Sequence, residues 1–439
     1  MAKLKKFIIF LGDLIILYGS LALTLLIRYG VNQFETRWAD HLLPFSVIFI
    51  FWIIIFYGFN LYNYKLSRKL NTLNNIFTAS LVAGILSTLL FYFFPNFFGI
   101  SPKTNIIIFG VLVMAFKYGW HQLVIFKFFT RGSEKIIVIG SSKPIKQTVK
   151  YIENNPQVGY SVEAWLDNIE KISLDGLIKI IKITKARSII IPSHLTKKVS
   201  VSRLVYKLLS HEVNIISFWN FYEIIFEKIP LEEMEEGWFI ENISTHRPFY
   251  GIVKRGFDVF FASLILVITF PLMVLFAFFI KVTSSGSAIY KQKRLGKNER
   301  LFTLYKFRTM RKDAEKNGPE WSKKNDKRIT SIGKFLRRTH LDELPQLINV
   351  IKGDVSFVGP RPERPEFVDK LEKEIPFYEI RHITKPGITG WAQVMYRYGS
   401  SVKDSEEKLK YDLHYIRRSN LTLDVLIILK TIRMFFFNN

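Results

Sequence analysis

Two neighbouring acids, Asp342 and Glu343, lie in a strongly basic part of the chain and are well suited to chemistry. Pro345 fits the first turn of a helix, and the apolar run after it stops at Gly353, a typical residue for a helix end. The acids would then lie at or just before the helix N-terminus, where the dipole keeps a carboxylate ionised and attracts phosphate. One acid could attack phosphorus while the other holds Mg²⁺, which prefers hard oxygen ligands. A pair that only caps the helix is the alternative, so the surrounding sequence must decide.

That surrounding sequence supplies candidates for binding an anionic substrate, namely Lys306, Arg308, Arg361, Pro362, Arg381 and Lys385. Arg361 stands between two prolines that fix its backbone, so its guanidinium is pre-organised to bind a phosphate. Cations around an acid pair fit phosphoryl transfer between two anions, because they shield a carboxylate from the charge of a pyrophosphate. The basic run at 291–300 fits attraction to anionic lipid equally well.

Composition favours a protein that works at a membrane. The chain has 439 residues, 62 Lys+Arg against 37 Asp+Glu and a net charge of +25, which implies an anionic partner. Hydrophobic residues make up 49% of the chain and phenylalanine alone contributes 40, too many for a soluble nucleic-acid-binding protein. The absence of cysteine excludes disulfides, thiolate nucleophiles and Cys-ligated zinc.

Four apolar segments in the first third are each long enough to cross a bilayer: Phe7–Ile27, Leu42–Tyr62, Ile76–Phe94 and Ile106–Phe126. Short loops on one side of these segments carry the positive charge, at Lys3, Lys5, Lys6, Lys65, Arg68, Lys69, Lys127, Arg131 and Lys135. By the positive-inside rule the N-terminus and everything after about residue 130 are cytoplasmic. Asp13, within the first segment, is expected to lie near the interface or to pair with another helix rather than to have a function.

Residues 134–218 alternate short β-branched runs with helical patterns, which predicts a small parallel, Rossmann-like sheet. The predicted strands are Lys135–Gly140, Ser161–Leu166, Ser188–Pro192 and Asn214–Phe218, and the predicted helices are Pro144–Glu153, Leu174–Thr184 and Val199–Leu209. The turn after the first strand lacks the G-x-G-x-x-G spacing of dinucleotide-binding proteins, so a structural or regulatory role is favoured over nucleotide binding.

A fifth apolar segment, Phe257–Ile280, is long enough to cross but has cationic residues on both sides. Crossing would carry the most basic stretch of the chain outside, against the positive-inside rule. Pro271 near its middle predicts a break or kink, which would let the segment enter the cytoplasmic leaflet and return. Leu421–Phe437 mixes apolar and charged residues, as a helix lying in the membrane interface does.

Four blocks in the C-terminal part resemble, in order and at family-like spacing, the bacterial sugar transferases. They are KRGFDVFFASLILVITFPL, KQKRLGKNERLFTLYKFRTM, DKRITSIGKFLRRTHLDELPQLINVIKGDVSFVGPRPE and RHITKPGITGWAQV. These enzymes are polyprenyl-phosphate hexose-1-phosphate transferases, also called monotopic phosphoglycosyl transferases. The four apolar segments and the α/β unit ahead of the blocks resemble the long-form members.

The resemblance implies a Mg²⁺-dependent ping-pong reaction at the cytoplasmic face of the bacterial inner membrane. Asp342 would take a phosphosugar from a UDP-sugar and pass it to undecaprenyl phosphate, while Glu343 would hold the metal. The segment Gly359–Pro362 would contact phosphate or nucleotide, and Pro271 would form the kink of the re-entrant helix. Many members have serine before that proline where this chain has Phe270. Such enzymes start the repeat units of capsule, exopolysaccharide or O-antigen.

The predicted fold is therefore a membrane protein of the α plus α/β class. Residues 1–130 form four transmembrane helices, 131–250 a cytoplasmic Rossmann-like α/β domain with a connector, and 251–439 a mostly α catalytic domain. The catalytic domain contains the re-entrant helix 257–280 and interfacial helices.

Two alternative functions are a membrane-anchored regulator that senses a nucleotide without catalysis and a membrane-tethered nucleic-acid-binding protein. The acid pair and the GPRP segment argue against both, and the sequence leaves open the sugar, any α/β-domain ligand and a homodimer.

Overall fold

A computed structural model describes residues 2–59, 61–62, 69–100, 103–123, 133–167, 173–208, 213–243, 247–283, 286–311, 314, 326, 328–396, 399 and 401–437. The chain divides into two compact units, Met1–Phe221 and Tyr222–Asn439. The second unit therefore includes the acidic connector at 231–238. The loop cations Lys65, Arg68, Lys127 and Arg131, used above to orient the chain, lie outside the described residues.

The first unit begins with the helices α1 (Ala2–Tyr29), α2 (Phe34–Gly58), α3 (Lys69–Phe93), α4 (Pro95–Phe98) and α5 (Lys103–Trp120). The four long helices correspond to the four predicted segments, although α2 begins eight residues earlier than predicted. Their shared core is rich in aromatic residues such as Phe49, Trp52 and Phe109. Asp13 of α1 forms an ion pair with Lys117 of α5, and both side chains are buried. The expected pairing of this acid between helices is therefore confirmed.

An α/β segment follows, with β1 (Glu134–Ile139), α6 (Lys143–Glu153), β2 (Tyr160–Leu166), α7 (Leu174–Thr184), β3 (Ser188–Ile191), α8 (Ser193–Thr196), α9 (Val199–Leu208) and β4 (Asn214–Ser217). Its described strands form a parallel sheet in the order β2-β1-β3-β4. Every predicted strand and helix here is confirmed to within one residue at each end. The Rossmann-like character of the domain stays a prediction.

The second unit starts with α10 (Phe218–Phe226, which crosses the boundary), α11 (Glu236–Asn242) and α12 (Pro248–Thr283). A hairpin of β5 (Ile289–Leu295) and β6 (Leu301–Phe307) follows, then α13 (Ser331–Arg338), α14 (Gln346–Lys352), β7 (Ser356–Val358), α15 (Pro365–Glu374), β8 (Gly387–Thr389), α16 (Trp391–Met395), α17 (Val402–Arg418) and α18 (Leu421–Phe437). The unit is mostly helical, as predicted, but it also contains the antiparallel pair β5–β6 and the parallel pair β7–β8.

The fifth apolar segment forms one uninterrupted α-helix, α12, with Pro271 inside it. The helix does not end at Pro271, so the predicted break is absent. The predicted kink and the predicted return to the cytoplasmic side stay predictions. Within the described residues, α12 is one of five helices long and apolar enough to cross a membrane, and only 6% of its apolar window is buried. Phe270, the residue before the proline, is 60% exposed. Such a helix needs an apolar surrounding, which supports a membrane protein.

Two polar residues of α12 hold the rest of the second unit in place. The guanidinium of Arg255 donates to the carbonyls of Val350 and Ile351, both at 2.6 Å, near the end of α14. The buried Asp258 carboxylate accepts hydrogen bonds from Ser356 Oγ and Phe357 N of β7, both at 3.1 Å. Both residues belong to the first of the four family-like sequence blocks. This block therefore connects α12 to α14 and to β7.

The C-terminal helix α18 is tied to α12 by an ion pair between Lys254 and Asp424, 2.6 Å apart. Asp424 also accepts hydrogen bonds from Tyr415 and Tyr250, both at 2.8 Å. Lys430 is likewise buried, with its ammonium 4.7 Å from the ring centre of Trp391. The helix bounds match the prediction, but two of the charged residues that suggested an interfacial helix face protein. The interfacial position itself stays a prediction.

Candidate active site

The acid pair lies on a short turn that leads into a helix. Leu341–Glu343 forms one turn of 3₁₀-helix, started by His340 in the left-handed conformation with φ 55°. Pro345 precedes α14, and Gly353 ends that helix with φ 89°. The predicted helix and the predicted position of both acids ahead of it are confirmed.

The side chain of Glu343 is held by two cations. Its Oε1 accepts hydrogen bonds from Lys306 Nζ at 2.8 Å and from Arg361 Nη2 at 3.1 Å. Burial alone would raise the pKa of Glu343, but the charges of Lys306 and Arg361 outweigh burial and hold it well below its usual range. Glu343 is therefore ionised throughout the physiological range. In the described part of the chain its other oxygen, Oε2, accepts no hydrogen bond.

Asp342 has the opposite electrostatic environment. Its side chain is buried, at 8% exposure, and its carboxylate accepts no hydrogen bond from any described residue. Burial raises the pKa of Asp342, and the negative charge of Glu343 raises it further, although Lys306 and Arg337 oppose both effects. We expected the helix N-terminus to keep Asp342 ionised, but burial and the charge of Glu343 raise its pKa instead. Burial is the largest influence on the pKa of Asp342, and it favours the protonated form.

Packing of α14 onto β6 places Lys306 beside the acids. The buried Asn349 of α14 accepts a hydrogen bond from Tyr305 N at 3.1 Å and donates to Thr303 O at 2.7 Å. The Asn349 side chain thereby makes the backbone hydrogen bonds that a neighbouring strand would otherwise make with β6. These bonds fix the position of β6 against α14. Lys306 is the next residue along β6, so its ammonium reaches Glu343.

Close backbone packing sets the position of Arg361. Gly359 N donates to Thr389 O at 2.9 Å, and Gly387 N donates to Pro360 O at 2.9 Å. A side chain at Gly359 would place its Cβ 2.3 Å from Lys385 O, so only glycine lets the two segments approach this closely. The GPRP segment is therefore a rigid turn, as predicted, and Arg361 points to Glu343.

We expect Gly359→Ala to destabilise the second unit, because the added methyl group overlaps backbone atoms that cannot move independently. The loss should be about 1–3 kcal/mol or more, measured by thermal unfolding of the purified chain. Gly256→Ala on α12 is the matched control, since nothing lies within 4 Å of a Cβ there. Equal melting temperatures for the two variants would contradict this account of the turn.

The other predicted substrate-binding residues are not all brought to the acids. Arg381 is buried and hydrogen-bonds to the Tyr378 hydroxyl, to Arg361 O at 2.9 Å and to Asp412 at 3.0 Å. It supports the backbone of Arg361 instead of facing the acids. The carbonyl of Pro362 accepts a hydrogen bond from Arg294 at 3.1 Å, which fixes the other side of the turn.

Arg308 and Lys385 lie elsewhere. The Arg308 guanidinium lies against Gly286, and the Lys385 ammonium lies beside Gly353 at the far end of α14. In the described residues neither side chain hydrogen-bonds to Asp342 or Glu343. Their contact with a substrate stays a prediction, as do the substrate contacts of Lys306, Arg361, Pro362 and Arg381.

Sequence reasoning missed Arg337, which supplies positive charge beside Asp342. Its Nε donates to Thr309 Oγ1 at 2.8 Å, and its charge lowers the pKa of Asp342. The available signal was the spacing. Arg337 lies in the last turn of α13, five residues before Asp342, so the intervening tight turn can bring the two side chains close together.

The carboxylates offer a limited set of metal ligands. Among the described residues no group of three or more His, Cys, Asp or Glu side chains could hold a metal. The Asp342 carboxylate and Oε2 of Glu343 nevertheless accept no hydrogen bond from the described residues, so these oxygens are the ones that would ligate a cation. Mg²⁺ keeps several of its waters and needs one or two protein carboxylates plus substrate phosphates. The acid pair fits that requirement.

Comparison with known proteins places residues 249–438 in a family described as bacterial sugar transferase. The chain is 46% identical over 186 residues to "UDP-N-acetylgalactosamine-undecaprenyl-phosphate N-acetylgalactosaminephosphotransferase" of Aeromonas hydrophila, covering 42% of this chain and 44% of the relative. It is 31% identical over 323 residues to "UDP-glucose:undecaprenyl-phosphate glucose-1-phosphate transferase" of Xanthomonas campestris, covering 68% and 66%.

A third relative is matched over most of its own length. The chain is 50% identical over 132 residues to "Putative undecaprenyl-phosphate N-acetylgalactosaminyl 1-phosphate transferase" of Bacillus subtilis, covering 30% of this chain and 74% of the relative. The match thus spans less than two thirds of the Aeromonas and Xanthomonas proteins but most of the Bacillus one. On the family match and this coverage, the chain belongs to the bacterial sugar transferase family.

Proposed function

We propose that the protein transfers a hexose-1-phosphate from a UDP-sugar to undecaprenyl phosphate, through a phosphosugar bound covalently to Asp342. The observation that carries the proposal is the contrast between two adjacent acids. Glu343 is fixed by two cations and permanently charged, whereas Asp342 is free of hydrogen bonds from the described residues. A carboxylate that makes no such bonds is the better nucleophile, and a fixed one suits a structural or metal-binding role.

In the first half of the reaction, a carboxylate oxygen of Asp342 attacks the phosphorus that carries the sugar. A new P–O bond forms to Asp342, the bond to the bridging diphosphate oxygen breaks, and UMP leaves with that electron pair. Arg361, which hydrogen-bonds to Glu343, and Arg337, whose charge acts on Asp342, would bind the diphosphate oxygens, while Lys306 keeps Glu343 in place. Mg²⁺, when bound by Glu343 and the substrate, would neutralise charge on the phosphates.

In the second half, an oxygen of undecaprenyl phosphate attacks the same phosphorus. The bond to Asp342 breaks and the carboxylate is regenerated, so the product is a polyprenyl diphosphate sugar. Holding the phosphosugar on the protein separates a water-soluble donor from a lipid acceptor in time. The site must therefore lie where both can reach it, at the membrane surface.

The assay for this proposal combines the protein in membranes, a UDP-sugar labelled in the sugar, Mg²⁺ and undecaprenyl phosphate. We expect labelled lipid and free UMP in equal amounts. A protein that only senses nucleotide would bind the UDP-sugar without releasing UMP. Because two of the relatives are named for N-acetylgalactosamine and one for glucose, UDP-N-acetylgalactosamine and UDP-glucose come first in the donor panel.

We also propose that the site faces the bacterial cytoplasm and that α12 returns to the side from which it entered. The chain has no cysteine, so a single introduced cysteine is a unique label. In intact cells, Glu241→Cys before α12 and Lys293→Cys after it should both resist a membrane-impermeant maleimide. Asn32→Cys, between α1 and α2, should react. Labelling of Lys293→Cys but not Glu241→Cys would show that α12 crosses the membrane.

The raised pKa of Asp342 predicts an unusual acid limb in the pH–rate profile. Asp342 must be ionised to attack, so kcat/KM should fall as the pH drops through a pKa above the ordinary aspartate value of about 4. Arg337 lowers that pKa, so Arg337→Gln should move the limb to higher pH. Arg338→Gln, the exposed neighbour, is the control. A limb in the same place for all three proteins would show that Asp342 does not titrate there.

A further inference from the structure

A buried ion pair of the second unit holds the backbone of the arginine that contacts Glu343. Arg381 Nη2 donates to Asp412 Oδ2 at 3.0 Å and to Arg361 O at 2.9 Å. Arg361 Nη2 in turn donates to Glu343 Oε1 at 3.1 Å. Hydrogen bonds thus connect Asp412, on α17, to the acid pair through two arginines.

The position of Arg381 depends on the charge of Asp412. Both side chains are buried, at 6% exposure for Arg381 and 2% for Asp412. In the described part of the chain, Arg381 Nη1 donates to the nearby Tyr378 hydroxyl and Nε has no hydrogen-bond partner. Asp412 is the only described carboxylate with which Arg381 forms an ion pair. Removing one partner of a buried pair leaves the other charge uncompensated, which is costly, so loss of the Asp412 charge would also weaken the bond to Arg361 O.

The helix that carries Asp412 is fixed independently of this pair. Glu223 is 2% exposed and lies in the second unit, where it accepts a hydrogen bond from Arg417 Nη1 of α17 at 2.6 Å. His414 Nδ1, also on α17, lies 2.9 Å from Glu223 Oε1. A change in the charge of Asp412 should therefore act on Arg381 and not on the position of α17.

The charge of Asp412 can change near neutral pH. Burial raises the pKa of Asp412 to about 6, although the charge of Arg381 opposes that rise. The charge of Glu363 raises this pKa as well, and that of Lys408 on α17 lowers it. A neutral carboxyl group accepts a weaker hydrogen bond from a guanidinium and forms no ion pair. The pair is thus intact above this pKa and is lost as the pH falls through it.

We propose that Asp412 is a positioning residue, which acts through Arg381 to hold Arg361 against Glu343 while Asp412 is ionised. In the proposed function, on which this role depends for its effect, Arg361 binds the diphosphate of the donor, so a loosened Arg361 lowers kcat/KM. The hold on the turn at 359–362 can be measured without substrate, which separates this role from the transfer reaction itself.

The test follows hydrogen–deuterium exchange of the purified full chain, read on its peptides by mass spectrometry and corrected for the intrinsic effect of pH. The reporter amides are those of Gly359 and Gly387, which donate to Thr389 O and Pro360 O. In wild type their exchange should become about tenfold faster between about pH 7.5 and about pH 5, because a weaker hold makes local opening easier. Exchange that does not change over this range would overturn the proposal, and this measurement needs no variant.

Asp412→Asn makes the matched change, because it replaces the carboxylate with a neutral amide of the same size. Its reporter amides should exchange at the fast rate at every pH, with no step near the pKa of about 6. Glu406→Gln is the control and should behave as wild type, since Glu406 is another acid of α17 and pairs with Lys410 at 3.4 Å. A step that persists in Asp412→Asn would belong to another group and would contradict the proposal.

Transferase activity is the separate readout. The kcat/KM of Asp412→Asn for the UDP-sugar should fall about tenfold, by the loss of one charged hydrogen bond, while that of Glu406→Gln is unchanged. A wild-type protein that shows the pH step but transfers no sugar would refute the proposed function alone. A normal kcat/KM for Asp412→Asn would show that Asp412 does not position Arg361 for the reaction.

Discussion

Asp342→Asn is expected to abolish transfer while leaving the protein folded. The amide keeps the shape of the side chain but cannot attack phosphorus, so the rate should fall by at least about 10³-fold. The raised pKa of Asp342 means that its charged form opposes folding at neutral pH. Replacing it with a neutral amide should therefore leave the melting temperature unchanged or raise it.

Trapping the intermediate checks the role directly. Wild type incubated with a UDP-sugar labelled in the sugar, without acceptor lipid, should release one equivalent of UMP and retain label on the peptide that contains Asp342. Asp342→Asn should do neither. Normal turnover by this variant, or label on another peptide, would contradict the assignment.

Glu343→Gln is the matched comparison, because it also replaces a carboxylate with the amide of the same size, at the neighbouring acid. It should lower the melting temperature, since Lys306 and Arg361 would lose the charge that both of them contact. The two variants thus separate a nucleophile from a charged residue that holds its surroundings together.

Local patterns predicted the elements of this protein well, and the reason is that each element is determined by its own residues. The α/β segment alternates apolar strands with amphipathic helices, so its ends could be placed to within one residue. Pro345 and Gly353 likewise marked the two ends of α14. These signals depend on backbone preference and periodicity, which a short window of sequence contains.

Pro271 shows the limit of such a signal. Proline removes one backbone hydrogen bond, yet α12 continues through it because apolar residues on both sides have no better conformation in an apolar surrounding. Thr269 Oγ1 donates to Ile265 O at 2.7 Å one turn earlier, so a side chain also contributes hydrogen bonding to the helix there. The local rule predicted a break or a kink at Pro271; the helix does not break there, and the kink stays a prediction.

The partners of most charged residues that pair with distant parts of the chain could not be predicted. Arg381 looked like a cation for the substrate, but Asp412, which follows 31 residues later, draws it into the interior. Arg255 counted in the sequence only as one of the cationic residues before the fifth apolar segment, although it caps α14 almost a hundred residues further on. Composition and spacing identified which residues carry charge, whereas only the packing of the second unit shows which charges remain available for a substrate.

The buried ion pair of Asp13 and Lys117 provides the second large expected effect. Both side chains are fully buried, and the Lys117 ammonium also lies 5.0 Å from the ring centre of Phe56. Lys117→Met would leave Asp13 buried without its partner, at a cost of about 3–5 kcal/mol. The double variant Asp13→Asn with Lys117→Met should recover most of that loss, because no charge then remains unpaired.

The reporter for this prediction is a single cysteine at Ala83, a buried residue of α3 in the same core. Lys117→Met should raise the rate at which maleimide reacts with it by about 10²-fold or more, because an opened bundle exposes the thiol. Arg37→Met is the control, since Arg37 and Asp40 form an exposed pair 3.9 Å apart that contributes about 1 kcal/mol at most. If the double variant reacted as fast as Lys117→Met, the cost would come from lost packing around the lysine and not from the unpaired charge.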